Sequence, residues 1–160
     1  MRKYGKMLLV LYSLVIIKLI IFKYSFSEVH YIINYWDRDL LWKGIHSANL
    51  IPFQTIKMYI HYYNQLNSFE NLFGNILIFI PFGMMASMFS VRLYKLRWLL
   101  PLSFVFILGI ETFQLITRLG QFDIDDIMLN MFGVILGWLI CRAGKYVIGR
   151  IQYQKRKDGI

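Results

Sequence analysis

Four long apolar runs constrain the structure of this 160-residue chain more than any other feature of its sequence. Each run is close to the length that an α-helix needs to cross the hydrocarbon core of a bilayer. Hydrophobic residues make up 58% of the chain, which exceeds the apolar content of ordinary soluble domains. Because a bilayer offers the backbone no hydrogen-bond partners, runs of this kind form helices. The sequence therefore predicts an all-α integral membrane protein, with four transmembrane helices in a small bundle and a single domain over 1–160.

The predicted spans cover residues 7–23, 69–91, 98–118 and 124–141, and residues 142–160 form a basic tail. Between the first two spans, Ile56, Tyr59, Ile60 and Tyr63 recur at i, i+3, i+4 and i+7. That spacing is typical of an amphipathic helix lying on a membrane surface. Pro52 precedes it and is incompatible with a continuous helix. We therefore predict an interfacial helical segment between the first and second spans.

The basic residues indicate the orientation of the chain. Its net charge is +9, but Lys and Arg lie at the ends of the apolar runs and form no continuous stripe, so we expect no nucleic-acid partner. With four spans, both termini and the turn at residues 92–97 share one side of the membrane, and that side holds most of the Lys and Arg residues. The positive-inside rule then places both termini in the cytoplasm.

Several polar side chains lie inside or beside these spans. A carboxylate in a transmembrane segment is costly, so it faces a protein interior or a cavity and marks a candidate functional site. Helical spacing puts the members of each span on one face, at i, i+3 or i+4 from each other. The candidate ligand-binding residues are Asn71, Asn75, Glu111, Gln114, Asp123, Asp126 and Asn130.

The predicted topology places these seven residues at a similar depth in the outer leaflet, although they come from three helices. This agreement predicts a shared polar pocket. A simpler interpretation treats Asp123 as an N-cap and Asp125 and Asp126 as first-turn acids that the helix dipole favours, and it leaves Asn130 unexplained. The three histidines lack the spacing of zinc ligands, so we expect no metal and no cofactor.

Three further positions have predicted structural roles. Pro81 removes a helical hydrogen bond in the middle of the second span, where we expect a kink. Gly133 and Gly137 form a G-x-x-x-G step, which is typical of close helix packing in membranes.

Four ordered motifs resemble those of the VanZ-like membrane proteins: NLIPFQTI, NLFGNILIFIPFG, ETFQ and FDIDDIMLNMFGVILG, together covering roughly residues 49–137. The positions that match the family pattern are Asn75, Pro81, Gly83, Glu111, Gln114, Asp123, Asp126, Asn130 and Gly133. The resemblance implies a multi-pass protein of the cell membrane in Gram-positive bacteria. It also implies a role in low-level resistance to teicoplanin, a glycopeptide antibiotic that carries a lipid. It implies no mechanism.

Three functions remain open at this point. The pocket could bind a lipid-anchored molecule, either a lipoglycopeptide antibiotic or the peptidoglycan precursor lipid, with membrane lipids as further partners. It could instead belong to an enzyme that modifies such a lipid, with Glu111 or Asp126 as the general acid or base. The polar residues could also be purely structural and hold the helices together by hydrogen bonds.

Overall fold

The computed structural model describes residues 2–21, 25–62 and 68–157, and these residues form helices joined by turns. The helices are α1 (Arg2–Ile21), α2 (Phe26–Tyr35), α3 (Arg38–Ser47), α4 (Gln54–His61), α5 (Ser68–Phe89), α6 (Leu96–Thr117) and α7 (Ile124–Lys157). Within the described ranges the only β-type pairing is an isolated bridge between Asn49 and Asp123. The prediction of an all-helical protein is confirmed.

Three of the described helices are long and apolar enough to cross a membrane: Asn71–Phe89, Leu96–Thr117 and Ile124–Gln154. They coincide with the second, third and fourth predicted spans, and they indicate a membrane protein. The first predicted span overlaps α1, and its last residues, 22 and 23, lie outside the described residues. Large apolar side chains such as Leu77 and Val105 are exposed on the outside of the bundle, as expected for a surface that faces lipid.

Helix α7 is longer than a bilayer is thick. It has 34 residues, which corresponds to about 51 Å, whereas the hydrocarbon core measures about 30 Å. The residues that we predicted as a basic tail continue this helix without a break as far as Lys157, and residues 142–150 are exposed.

Helices α5 and α7 form the closest contact in the bundle, and glycines make it possible. A Cβ atom added to Gly137 would lie 2.7 Å from the backbone nitrogen of Met84, and one added to Gly133 would lie 3.0 Å from Cβ of Phe79. Gly83 of α5 faces the backbone of Val134 in the same way. The G-x-x-x-G step therefore lies at the α5–α7 contact, where small residues let two backbones approach.

An apolar core fills the space between α1, α5, α6 and α7. Phe79 and Phe82 of α5 pack with Phe106 of α6, and the rings of Phe82 and Phe106 stack with centroids 5.3 Å apart. Ile16 of α1 is buried in the same core. Helix α5 continues through Pro81 as a single helix.

Residues 36–61, between α2 and the end of α4, fold against one end of the bundle. Helix α3 packs on the end of α6, where Trp36 donates a hydrogen bond to the carbonyl of Ile116 (2.8 Å) and Arg118 donates one to Ser47 (2.5 Å). Pro52 lies in the turn that separates α3 from α4. Helix α4 occupies the position of the predicted amphipathic helix, although Tyr63 lies outside the described residues.

Candidate functional site

The first turn of α7 is the centre of the site. Asp123 immediately precedes this helix, and its Oδ1 accepts a hydrogen bond from the backbone N–H of Asp125 at 2.8 Å. An aspartate in this position caps the helix by binding one of its unsatisfied N–H groups. The simpler interpretation of Asp123 as an N-cap therefore describes part of its role.

The turn before α4 docks on Asp123. The backbone of Asn49 pairs with the residues on either side of Asp123: its N–H donates to the carbonyl of Phe122 (2.9 Å), and its carbonyl accepts from Ile124 (3.0 Å). The Asn49 side-chain amide donates to Asp123 Oδ1 at 3.0 Å, and the Thr55 hydroxyl donates to Oδ2 at 2.5 Å. Both oxygens of the Asp123 carboxylate are thus bonded by the chain itself.

Asp125 holds the start of α4 in place. It is fully buried, and its two carboxylate oxygens accept the N–H groups of Phe53 (2.5 Å) and Ile56 (3.1 Å). Phe53 is the N-cap residue of α4, has a left-handed backbone (φ 65°) and makes no capping bond with its side chain. Asp125 therefore supplies from α7 the cap that α4 lacks, and its negative charge faces the positive end of the α4 dipole.

Polar residues of α5 and α6 complete the cluster. The Asn75 amide of α5 donates to Asp126 Oδ1 at 2.6 Å, and Glu111 of α6 accepts the backbone N–H of Asp123 at 3.2 Å. Glu111 is 2% exposed, whereas Asn75 and Asp126 are half-buried. We use the name polar cluster for Asn75, Glu111, Asp123, Asp126 and Asn130.

Asn130 is the deepest member of the polar cluster on α7. It follows Asp126 by four residues, so the two side chains lie on the same face of the helix. Its side chain is 2% exposed, and within the described residues its Oδ1 atom has no hydrogen-bond partner.

Two of the predicted site residues lie elsewhere. Gln114 is buried at the turn between α6 and α7, where its side-chain Cδ lies 2.8 Å from the position that a Cβ atom on Gly120 would take. Gly120 has φ 140°, a conformation that favours glycine, so Gln114 packs against this turn. Asn71 is exposed, and the structure does not place it among the buried members.

The sequence analysis did not identify Asn49, Thr55 or Tyr59 as site residues. Tyr59 lies one turn after Thr55 on α4 and is half-buried. Burial raises the pKa of its phenol above 10.0, and the negative charges of Asp126 and Asp123 raise it further. The phenol therefore stays protonated at neutral pH beside the cluster. The motif NLIPFQTI was the available signal, because it contains both Asn49 and Thr55 and covers the turn and the start of α4 that dock on α7.

The site is rich in oxygen acceptors. Carboxylates and an amide oxygen can bind hydrogen-bond donors or cations, and a buried carboxyl can exchange a proton. Within the described residues, no group of three or more His, Cys, Asp or Glu side chains is arranged to hold a metal ion.

Comparison with known proteins agrees with the motifs. A family model described as VanZ/LLP1 matches residues 9–147. The chain is also 30% identical over 132 residues to Protein VanZ of Enterococcus faecium, an alignment that covers 81% of this chain and 68% of that protein. No solved structure matches the chain. Because the family model matches most of the chain, the predicted resemblance is confirmed, and the chain belongs to the VanZ/LLP1 family.

Proposed function

We propose that this protein is a multi-pass protein of the bacterial cell membrane that contributes to glycopeptide resistance by binding a lipid-anchored ligand at the polar cluster. The observation that carries the proposal is the meeting of polar side chains from α5, α6 and α7 at one end of an apolar bundle. Similarity to Protein VanZ supports the link to resistance, and teicoplanin is the antibiotic that the motif resemblance implies.

The topology in this proposal has four spans, with α1 as the first of them and both termini in the cytoplasm. The polar cluster then lies in the outer leaflet, and α4 lies at the outer membrane surface beside it. A ligand with a lipid anchor partitions into that leaflet and meets the cluster from the plane of the bilayer. The half-buried side chains, Tyr59, Asn75 and Asp126, are the ones that it reaches first.

The four carboxylates of the site divide into two groups in this proposal. Asp123 and Asp125 have a structural task, because N–H and O–H groups of the turn before α4 and of the first turn of α4 occupy their oxygens. Glu111 and Asp126 have the functional task. Asp126 meets Asn75 of α5 one turn before the buried Asn130, and Glu111 is buried on α6 beside the start of α7. Helix packing is thus a second role of the same region.

The test replaces the functional carboxylates by amides of the same shape, in the variants Glu111→Gln and Asp126→Asn. An amide keeps the hydrogen bonds that hold helices together, and such bonds contribute about 1 kcal/mol or less in membranes. We therefore expect near-normal membrane levels together with complete loss of teicoplanin resistance. The measurements are drug susceptibility and quantified membrane abundance for each variant, and Asp39→Asn on the exposed surface of α3 is the matched control.

Two outcomes would contradict this proposal. Resistance that falls only in proportion to abundance would assign the carboxylates to helix packing. A chemically changed lipid or peptidoglycan precursor in cells that contain the protein, absent from cells with Glu111→Gln, would identify a membrane enzyme, because a binding protein leaves its ligand unchanged.

A further inference from the structure

Two buried side-chain oxygens in the described residues have no hydrogen-bond partner: Oδ1 of Asn130 and Oγ of Ser103. Both side chains are almost completely inaccessible, with exposures of 2% and 0%. A buried acceptor without a partner lowers the stability of a fold, so each such atom requires an explanation. One explanation is that the partner is a ligand.

The surroundings of the two atoms differ. Ser103 lies on α6 about two helical turns before Glu111, among apolar neighbours in sequence. Asn130 lies on the face of α7 that carries Asp126 on the preceding turn and Gly133 on the following one. Asp126 accepts a hydrogen bond from Asn75 of α5, and Gly133 packs against Phe79 of α5. Asn130 therefore lies where α7 faces α5, as the deepest member of the polar cluster on α7.

The cluster around Asn130 is negative. Glu111, Asp123 and Asp126 each contribute a carboxylate, and the field of two of these groups reaches Tyr59 on α4. A cation in this position gains from that field, and charge-assisted hydrogen bonds are about twice as strong as neutral ones. A protonated primary amine carries a positive charge and three donors, so it can bond the Asn130 oxygen and a carboxylate at the same time.

We propose that the Asn130 amide oxygen accepts a hydrogen bond from a protonated primary amine of the ligand, while Asp126 and Glu111 supply the compensating negative charge. This inference rests on the proposed function and names the chemical group that the cluster binds.

The direct test compares two long-chain probes on the purified full-length protein in detergent at neutral pH, where an alkyl amine is protonated. Dodecylamine and dodecyltrimethylammonium have the same chain length and the same charge, but only the amine donates N–H bonds. Near saturation we expect dodecylamine to raise the unfolding midpoint by about 3 °C. We expect the quaternary probe to raise it by less than about 1 °C.

The variant Asn130→Leu keeps a branched side chain and removes the unpartnered acceptor, so its unfolding midpoint should equal or exceed that of the wild type. It should also lose both the response to dodecylamine and the resistance to teicoplanin. Ser103→Ala is the matched control: it removes the other unpartnered acceptor, and it should keep both properties.

Equal stabilisation by the two probes would overturn the inference, because charge alone would then explain binding. A dodecylamine response that persists in Asn130→Leu would overturn it as well. The proposed function has its own readout, which is the resistance of Glu111→Gln and Asp126→Asn. If those variants lose resistance but the two probes stabilise the protein equally, the proposed function stands and Asn130 has no part in it.

Discussion

Asp123, Asp125 and Asp126 are neighbours in the sequence, yet they have different partners. Asp123 precedes α7, whereas Asp125 and Asp126 are successive residues of its first turn. Because successive residues of a helix point about 100° apart, the carboxylates of Asp125 and Asp126 leave α7 in different directions. Asp123 caps its own helix, Asp125 caps α4, and Asp126 accepts the Asn75 amide. The free energy of each charge is therefore set by different groups, and the three residues should respond differently to substitution.

Asp125→Ala should release the start of α4 from α7. The N–H groups of Phe53 and Ile56 would lose their acceptor, and two such losses cost about 1–3 kcal/mol each when the groups stay buried. Hydrogen exchange of the amides in residues 50–61 should accelerate by about 30-fold or more, since the two losses together cost at least about 2 kcal/mol and 1.4 kcal/mol corresponds to a factor of ten. Asp39→Ala, at an exposed position of α3, should leave these amides unchanged. Unaltered exchange in Asp125→Ala would show that α4 is held by other contacts.

Between helices, the contact of α5 with α7 depends on glycine. Without side chains at Gly83, Gly133 and Gly137, the two backbones come close enough that an added Cβ atom would overlap the opposite helix. This contact sets the distance between Asn75 on α5 and Asp126 on α7. The positions of the polar-cluster side chains therefore depend on how closely α5 and α7 pack at the glycines, which lie one to three helical turns further along α7.

Gly137→Ala and Gly144→Ala should change stability in opposite directions, although both add one methyl group to the same helix. At Gly137 the new Cβ would lie 2.7 Å from the backbone nitrogen of Met84, and overpacking of this kind costs about 1–3 kcal/mol. Nothing lies within 4 Å of the corresponding position at Gly144, where alanine gains up to about 1 kcal/mol of helix propensity. Thermal unfolding of the purified variants measures both effects. A destabilised Gly144→Ala variant would reveal a partner on that exposed face.

Across the complete chain, the basic residues and the apolar helices together define the proposed topology. The exposed residues after Cys141 include Arg142, Lys145 and Arg150, whereas the carboxylates of the polar cluster lie at the opposite end of α7. By the positive-inside rule, we propose that the basic end lies in the cytoplasm.

Cysteine labelling tests this orientation. Cys141 is the only cysteine of the chain, so Cys141→Ala provides a background for two single-cysteine variants at exposed positions, Lys43→Cys on α3 and Tyr153→Cys on α7. A membrane-impermeant maleimide should label position 43 in intact cells, and it should label position 153 only after the membrane is opened. The reverse pattern would place the polar cluster in the inner leaflet and would remove the route by which an external lipid-anchored ligand reaches it.

Local patterns in the sequence determined the class of the protein, the positions of its long helices and the residues of its polar faces. Hydropathy and helical periodicity depend on neighbours within a few residues, and the three spans found in the described residues follow from them. Polar side chains within and beside the apolar spans also predicted Glu111, Asp123, Asp126 and Asn130 as candidate site residues.

Tertiary contacts decided which of these residues act together. The bonds from Asn49 and Thr55 to Asp123, and from Phe53 to Asp125, join residues far apart in the chain, and no local pattern encodes them. Asn71 shares a helical face with Asn75 but remains exposed, because helical periodicity gives the direction of a side chain and not the neighbour that it meets. Asn130 and Ser103 each have a buried oxygen without a partner in the described residues, but only Asn130 lies beside carboxylates, and those surroundings exist only once α5 and α7 have packed at their glycines.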